Sequence, residues 1–210
     1  KNCIPLFISG FLLAYIFNEP RIAIDMEIRL GHLIEGTQRD YNILFMPVFF
    51  MSLFILILRP LTTQLAIFWK DKEYKRFDGI IVKLLVIILG LGFVLTLVAY
   101  FIGTPILSVV FGLDLNRYKE TLAILVLSGI LYSIGIVFGD VMTVLRRQSY
   151  LLPVYLLMFV ASKLTNLQFV QRSGLFGASL SFLLVMVVYF IGSIVSYWIA
   201  RRLERKEYVL

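Results

Sequence analysis

The sequence predicts an all-α, polytopic transmembrane helix bundle of about six spans. Its hydrophobic content is 60% and its mean hydropathy is +0.91, whereas soluble domains contain roughly 45–50% apolar residues. Residues 84–113 form an uncharged run of 30 residues, and about 20 apolar residues are enough for a helix to cross a bilayer core. The apolar runs are continuous rather than alternating, which favours helices over the strands of a membrane barrel.

Six apolar segments along the chain are predicted as spans. The first two are short and need help from flanking residues to cross a bilayer, and the third contains Lys83 near one end, where its stem reaches the interface. The chain begins at Lys1 and enters an apolar run almost at once, so we expect it to be a piece of a longer polypeptide. The predicted spans are residues 3–17, 43–58, 80–102, 121–145, 151–170 and 175–200.

The distribution of basic residues predicts the orientation. Six spans place both termini on one side of the membrane, and that side carries twelve Lys and Arg residues against six on the other. Such an excess marks the cytoplasmic side. The net charge of +7 is therefore interpreted as orientation and contact with anionic lipid headgroups, not as nucleic-acid binding.

Two connections between spans are predicted to have structure of their own. Residues 60–78 begin with Pro60, which suits a first helical turn, and their apolar and basic faces predict a cytoplasmic amphipathic helix on the membrane surface. A simple solvated linker is the alternative. On the other side, Gly103 and Gly112 enclose residues 106–111, which predicts a short interfacial helix.

The fourth span carries small and hydroxyl residues on a single helix face. This stripe is typical of close helix packing, although a functional face stays open. Asp140 borders it and is our candidate for a coupling ion, with an interface anchor as the alternative. The stripe comprises Ser128, Tyr132, Gly135, Gly139 and Thr143.

Charged residues also lie in the fifth span and at the outer end of the first. Lys163 is about seven residues from the outer end of its span, so it either extends to the interface or faces a cavity. At the outer end of the first span, both signs of charge meet at a membrane mouth in Asn18, Glu19, Arg21 and Asp25. An ordinary solvated loop is the other interpretation of that group.

Catalytic and metal-binding patterns are missing from the sequence. The lone Cys3 excludes an intramolecular disulfide, and the lone His32 is predicted to be solvated in a loop without companion ligands. No nucleophile–base set, zinc motif or phosphate-binding glycine loop is present. We therefore expect a protein that is not an enzyme, with no catalytic residues, metal site or cofactor.

Four short segments resemble motifs of bacterial oligosaccharide flippases, in the same order and at similar spacing. Each motif is weak by itself, but together they cover about 200 residues. The segments are QLA followed by WKDKEYKRF within residues 64–77, GTPIL followed by FG within 103–112, VMTVLRRQ at 141–148 and SGLFGAS at 173–179.

This resemblance points to the polysaccharide transporter branch of the multidrug/oligosaccharidyl-lipid/polysaccharide exporter superfamily, and the chain resembles its C-terminal six-helix lobe. It implies a partner N-terminal lobe and the flipping of an undecaprenyl-diphosphate-linked oligosaccharide across the bacterial cytoplasmic membrane by alternating access, for polysaccharide biosynthesis. Arg21 and Arg59, each beside a span end, are candidates for the diphosphate because guanidinium groups bind such anions through two contacts. Asn18, Asp25 and Lys163 are further substrate-binding candidates.

Three other functions remain open at this point. A cation-coupled multidrug exporter of the same superfamily would need buried acids, of which Asp140 is the one credible example in the predicted spans. A membrane-embedded sugar or acyl transferase would need clustered acids or a histidine at a membrane mouth, and the sequence offers neither. A structural membrane subunit is the third.

Overall fold

The computed structural model describes the backbone of residues 3–207 and the side chains of residues 7–51 and 60–203. Within the described backbone all regular secondary structure is helical, which confirms the predicted all-α bundle. Short 3₁₀ turns, Asn116–Tyr118 and Gln148–Leu151, precede two of the helices. The α-helices are α1 (Cys3–Arg29), α2 (Thr37–Lys70), α3 (Tyr74–Val98), α4 (Thr104–Phe111), α5 (Lys119–Val144) and α6 (Leu152–Glu207).

Helix α6 is divided by a sharp break at Gly174. The φ of 57° and ψ of −128° at this residue are not helical, and glycine adopts such a conformation because it has no Cβ. The break separates a first limb, residues 152–173, from a second limb, residues 175–207. The two limbs correspond to the last two predicted spans.

Within the described residues, four helical segments are long and apolar enough to cross a membrane, so the protein is membrane-embedded. They are Phe7–Arg29, Tyr74–Phe111, Asn116–Val144 and Gln148–Leu203, the last of which contains both limbs of α6. The predicted second span, residues 43–58, lies within α2. The side chains of its second part, residues 52–58, are outside the described part of the chain.

The first helix is much longer than the span predicted for it. The prediction ended at residue 17 because charged residues follow, but α1 continues through Pro20 to Arg29. The helix tolerates Glu19 because its carboxylate forms an ion pair with Lys163 on a neighbouring helix. The charges after residue 17 therefore lie on a helix and not in a solvated loop.

The segment predicted as an amphipathic surface helix, residues 60–78, is folded differently. Residues 60–70 are the last three turns of α2, a turn follows, and α3 begins at Tyr74. The apolar face packs inward, since Leu65 and Phe77 are completely buried and Trp69 packs against Phe77 at 5.1 Å between ring centroids. Burial against the bundle removes these side chains from water as effectively as a membrane surface would.

Helices α3 and α4 form one continuous helical rod, joined by a π-helical turn at Ala99–Gly103. Gly103 has helical dihedrals, and a Cβ on it would lie 2.6 Å from Leu122, so its small size lets α5 approach closely. The predicted short helix at 106–111 corresponds to α4, which ends at Gly112 in the left-handed conformation.

The two ends of the bundle differ in their turns. At one end, which we call the glycine end, the connections contain four glycines with positive φ, namely Gly31, Gly36, Gly112 and Gly174. At the other end, the basic end, the positive-φ residues are Lys72 and Arg146, and Arg201 and Arg202 lie nearby on α6. Chain direction places the starts of α1, α3 and the first limb of α6 at the basic end.

Helix α5 lies at the centre of the bundle and contributes to both hydrophobic cores. One core joins α1, α2, α5 and both limbs of α6 around Phe45, Phe182 and Met186. The other joins α2, α3, α5 and the end of α6 around Leu65, Phe77 and Val141. The outer helices α1 and α6 thus pack against each other on one side of α5, where the polar side chains concentrate.

Candidate functional site: a polar seam between α1 and α6

Helix α1 and the first limb of α6 run parallel in a fixed register. Tyr15 packs against Phe159 at 5.2 Å between ring centroids, Glu19 contacts Lys163 at 3.1 Å, and Gln171 Nε2 donates to Glu27 Oε1 at 2.9 Å across a separation of 144 residues. The other two pairs have the same separation. We call this line of contacts the α1–α6 seam.

The central contact of the seam is the ion pair between Glu19 and Lys163. Lys163 Nζ lies 3.1 Å from Glu19 Oε1 and 4.7 Å from the centroid of the Tyr15 ring. Glu19 is ten residues from the last residue of α1, about 15 Å at the helical rise. Lys163 therefore pairs with a carboxylate well inside the helix.

Further polar contacts lie next to this pair on the two limbs of α6. Asn166 Nδ2 donates to Ser162 Oγ at 2.8 Å, and the hydroxyls of Thr165 and Ser181 are 2.6 Å apart. Asn166 Oδ1 is buried without a hydrogen-bond partner among the described residues. Hydroxyl and amide groups inside a membrane commonly form such hydrogen bonds between packed helices.

Helix α1 also carries polar residues along a face that the bundle covers only in part. Asn18, Arg21, Asp25 and Arg29 follow one another at steps of three, four and four, which places them on one side of the helix. Asn18 and Arg29 are exposed, and Arg29 pairs with Asp25 at 2.9 Å. We call this row the α1 stripe. Nearer the basic end, the uncovered side chains of α1 are apolar, for example Phe7 and Phe11.

Arg21 lies on the α2 flank of the stripe. Its Nη1 donates to Asn18 Oδ1 at 3.3 Å, and its guanidinium lies 5.3 Å and 5.9 Å from the ring centroids of Phe45 and Phe49. Its Nε is buried without a hydrogen-bond partner in the described structure. The structure thus brings two of the predicted site residues, Asn18 and Arg21, into direct contact.

Asp140 lines a small cavity towards the basic end that has both polar and apolar lining residues. The cavity has a volume of about 180 Å³ and lies between α1, α5 and both limbs of α6. Gln148 Nε2 donates to Thr143 Oγ1 at 2.6 Å in its wall. The remaining polar lining is provided by Ser9, Tyr155 and Tyr189.

The stripe of small residues on α5 is explained in part by packing. A Cβ on Gly135 would lie 2.2 Å from the Tyr189 ring, so the absence of a side chain there makes room for that tyrosine. The hydroxyls of Ser128 and Thr143 donate to carbonyls one turn earlier in their own helix. Packing therefore accounts for Gly135, whereas Gly139 and Thr143 line the cavity beside Asp140.

Two charged clusters occupy the glycine end. Glu27 is buried, and its carboxylate binds Gln171 and the ring of His32, whose Nδ1 lies 2.8 Å from Glu27 Oε2. His32 is thus a partner of a buried acid and not merely solvated. Asp40 contacts Arg39 at 3.1 Å and Arg117 at 3.8 Å.

Sequence reasoning found part of this site. Asn18, Arg21, Asp25, Lys163 and Asp140 all occupy polar regions of the structure, whereas the side chain of Arg59 is outside the described residues. Glu19 was noted only as a charge at the end of a span, not as the partner of Lys163. Local spacing carries no signal for a contact between residues 144 positions apart.

The side chains of residues 7–51 and 60–203 contain no group of three His, Cys, Asp or Glu residues that could hold a metal ion.

Comparisons with protein-family models, with curated proteins and with solved structures give no match to this chain.

Proposed function

We propose that this chain is one lobe of a transporter that flips undecaprenyl-diphosphate-linked oligosaccharide across a bacterial cytoplasmic membrane. The substrate headgroup is large and charged, so it needs a hydrated path through the hydrocarbon, whereas its prenyl tail can remain in lipid. In this proposal, the path lies between this lobe and a second one and opens to each side of the membrane in turn.

The observation that carries the proposal is the α1 stripe. Asn18, Arg21, Asp25 and Arg29 extend over three turns of a membrane-length helix, where Asn18 and Arg29 are exposed and the other two are partly buried. Charged and amide groups are unstable against lipid tails, and within membranes they face protein or water-filled cavities. A hydrated cavity completed by a second lobe supplies both the water and the protein surface that these groups need.

Arg21 is the residue of the stripe that best suits a diphosphate. Its guanidinium is held against two phenylalanine rings. A fixed planar fork makes paired contacts with phosphate oxygens, and each charge-assisted contact contributes about 1.5–3 kcal/mol. Asn18 positions this fork through its hydrogen bond to Nη1.

Flipping by proteoliposomes that contain the complete protein tests the proposal. We expect Arg21→Ala to lower flipping of a prenyl-diphosphate oligosaccharide about tenfold or more, and Arg21→Lys to retain part of the activity because the charge remains while the fork is lost. Arg172→Ala, which removes an exposed arginine at the glycine end, serves as the matched control. Normal flipping by Arg21→Ala at equal protein content would contradict the assignment.

A cation-coupled drug exporter is the second candidate, and the cavity beside Asp140 favours it. A partly buried carboxylate among hydroxyl and amide groups is suited to bind a proton or a small cation. The same proteoliposomes separate the two functions by cargo. An exporter of this class would move a cationic dye and leave the lipid-linked oligosaccharide in place.

We also propose that the basic end is cytoplasmic, because its connections carry the larger number of Lys and Arg residues. In a Cys3→Ser background, a cysteine introduced by Lys72→Cys should react with a membrane-impermeant reagent only after cells are permeabilised. A cysteine introduced by Ile34→Cys, an exposed position at the glycine end, should react in intact cells. Labelling of the Lys72→Cys protein in intact cells would show that the orientation is the opposite of the proposed one.

A further inference from the structure

We propose that Lys163 forms an anion-binding site in which Glu19 is a resident counter-ion, displaced when a phosphate-type anion arrives. The natural ligand named by this inference, a lipid-linked diphosphate, rests on the proposed function. The displacement is a binding property, and it can be measured without any transport. It makes the ion pair of the α1–α6 seam an exchangeable contact and not a permanent one.

Glu19 is incompletely satisfied in this pair. Its side chain is only 9% exposed, yet Lys163 contacts just one of its oxygens, and Oε2 is buried without a hydrogen-bond partner among the described residues. The attraction within a buried ion pair offsets the cost of desolvation only when the remaining lone pairs are also bonded. One oxygen of this buried carboxylate therefore lacks the bonding that would hold the pair in place.

Lys163 is accessible to a ligand while it is paired. Its side chain is 48% exposed, and its ammonium group has three N–H donors. Glu19 Oε1 and the face of the Tyr15 ring lie on the α1 side of that group. The uncovered side of the ammonium is open to an approaching anion.

A phosphate-type anion is the ligand that best competes with Glu19. A phosphate group carries up to two negative charges and several strong acceptor oxygens, whereas the carboxylate carries one charge and uses one oxygen in this contact. An ammonium group binds phosphate as a point charge and needs no planar alignment. Transfer of Lys163 from Glu19 to the ligand also breaks the ion pair that joins α1 to α6 at this level.

The test measures anion binding by the complete protein in nanodiscs of zwitterionic lipid. The probes are inorganic pyrophosphate and farnesyl diphosphate, a short prenyl diphosphate. We expect Glu19→Gln to bind about tenfold more tightly than wild type, because the competing charge is gone while the side chain keeps its size. Lys163→Ala should bind at least tenfold more weakly than wild type. Lys83→Ala, which removes another exposed lysine from a membrane-length helix, should behave as wild type.

Each outcome decides the inference. A gain with both probes supports a site that recognises the anion alone, and a gain with farnesyl diphosphate only supports it with a lipid-linked ligand. Affinity of Glu19→Gln equal to or below that of wild type, for both probes, overturns it. If thermal unfolding shows that Glu19→Gln does not fold, Glu19→Asp decides: its shorter side chain weakens the ion pair, so an unchanged affinity overturns the inference. A loss of flipping in Arg21→Ala bears on the proposed function and leaves this result unaffected.

Discussion

The ion pair at the end of α6 and the ion pair of the α1–α6 seam are built in opposite ways. At the basic end, Nη2 of Arg201 lies 2.7 Å and 2.8 Å from the two carboxylate oxygens of Asp78. In the α1–α6 seam, Lys163 reaches one oxygen of Glu19 and leaves the other without a partner in the described structure. The arginine side chain is 17% exposed and the lysine side chain is 48% exposed.

The surroundings of the two cations differ as much as their pairing. The Arg201 guanidinium lies 5.4–5.8 Å from the ring centroids of Trp69, Tyr74 and Phe77, where cation–π attraction and packing add to the ion pair. It therefore joins the end of α2, the start of α3 and the end of α6. This contact is a structural clamp, whereas the Glu19–Lys163 contact is open on one side and suited to exchange.

The largest effect on stability is expected from breaking the clamp. Arg201→Ala should lower the free energy of unfolding by about 2–3 kcal/mol, because it removes a two-oxygen contact and the filling of an aromatic pocket. The estimate stays below that for a fully buried pair, since Asp78 is half exposed and can be rehydrated. Denaturant unfolding of the purified protein in detergent measures the difference.

Arg202→Ala is the matched control for this prediction. Arg202 is adjacent in sequence and stacks on the Trp198 ring at 3.9 Å, but both side chains are exposed, so its loss should cost less than about 1 kcal/mol. Equal costs for the two variants would show that Arg201 is another surface arginine and that the contrast between the two ion pairs is unfounded.

Much of the fold could be predicted from the sequence because its signals are local. Long apolar runs indicated α3, α5 and both limbs of α6, and Gly174 separates the limbs as the predicted boundary requires. The prediction was wrong where charged residues after an apolar run were interpreted as the end of the helix. Helix α1 continues twelve residues beyond residue 17, because its charged side chains pair with residues of α1 itself and of α6. Residues 60–78 were divided between α2 and α3 because their apolar face packs on the bundle.

The sequence indicated which residues belong to the site, but not which of them contact each other. Lys163 and Arg21 were recognisable as cations within or beside apolar spans, where a charge is costly. The partner of Lys163 is Glu19. They meet because two parallel helices align residues that are 144 positions apart in the sequence. Helix periodicity within either segment contains no information about that shift. The same holds for Gln171 and Glu27.

A double-mutant cycle on the seam should give the smaller effects. Lys163→Met alone should lower the free energy of unfolding by about 1–2 kcal/mol, because it strands a buried carboxylate. Glu19→Gln alone should cost less, since the half-exposed lysine is rehydrated. The double variant Glu19→Gln/Lys163→Met should cost less than about 1 kcal/mol, because it removes both charges and leaves side chains of similar volume. A double variant as unstable as the sum of the single ones would mean that the two residues are not coupled, and the seam would then hold two independent charges in place of an exchangeable pair.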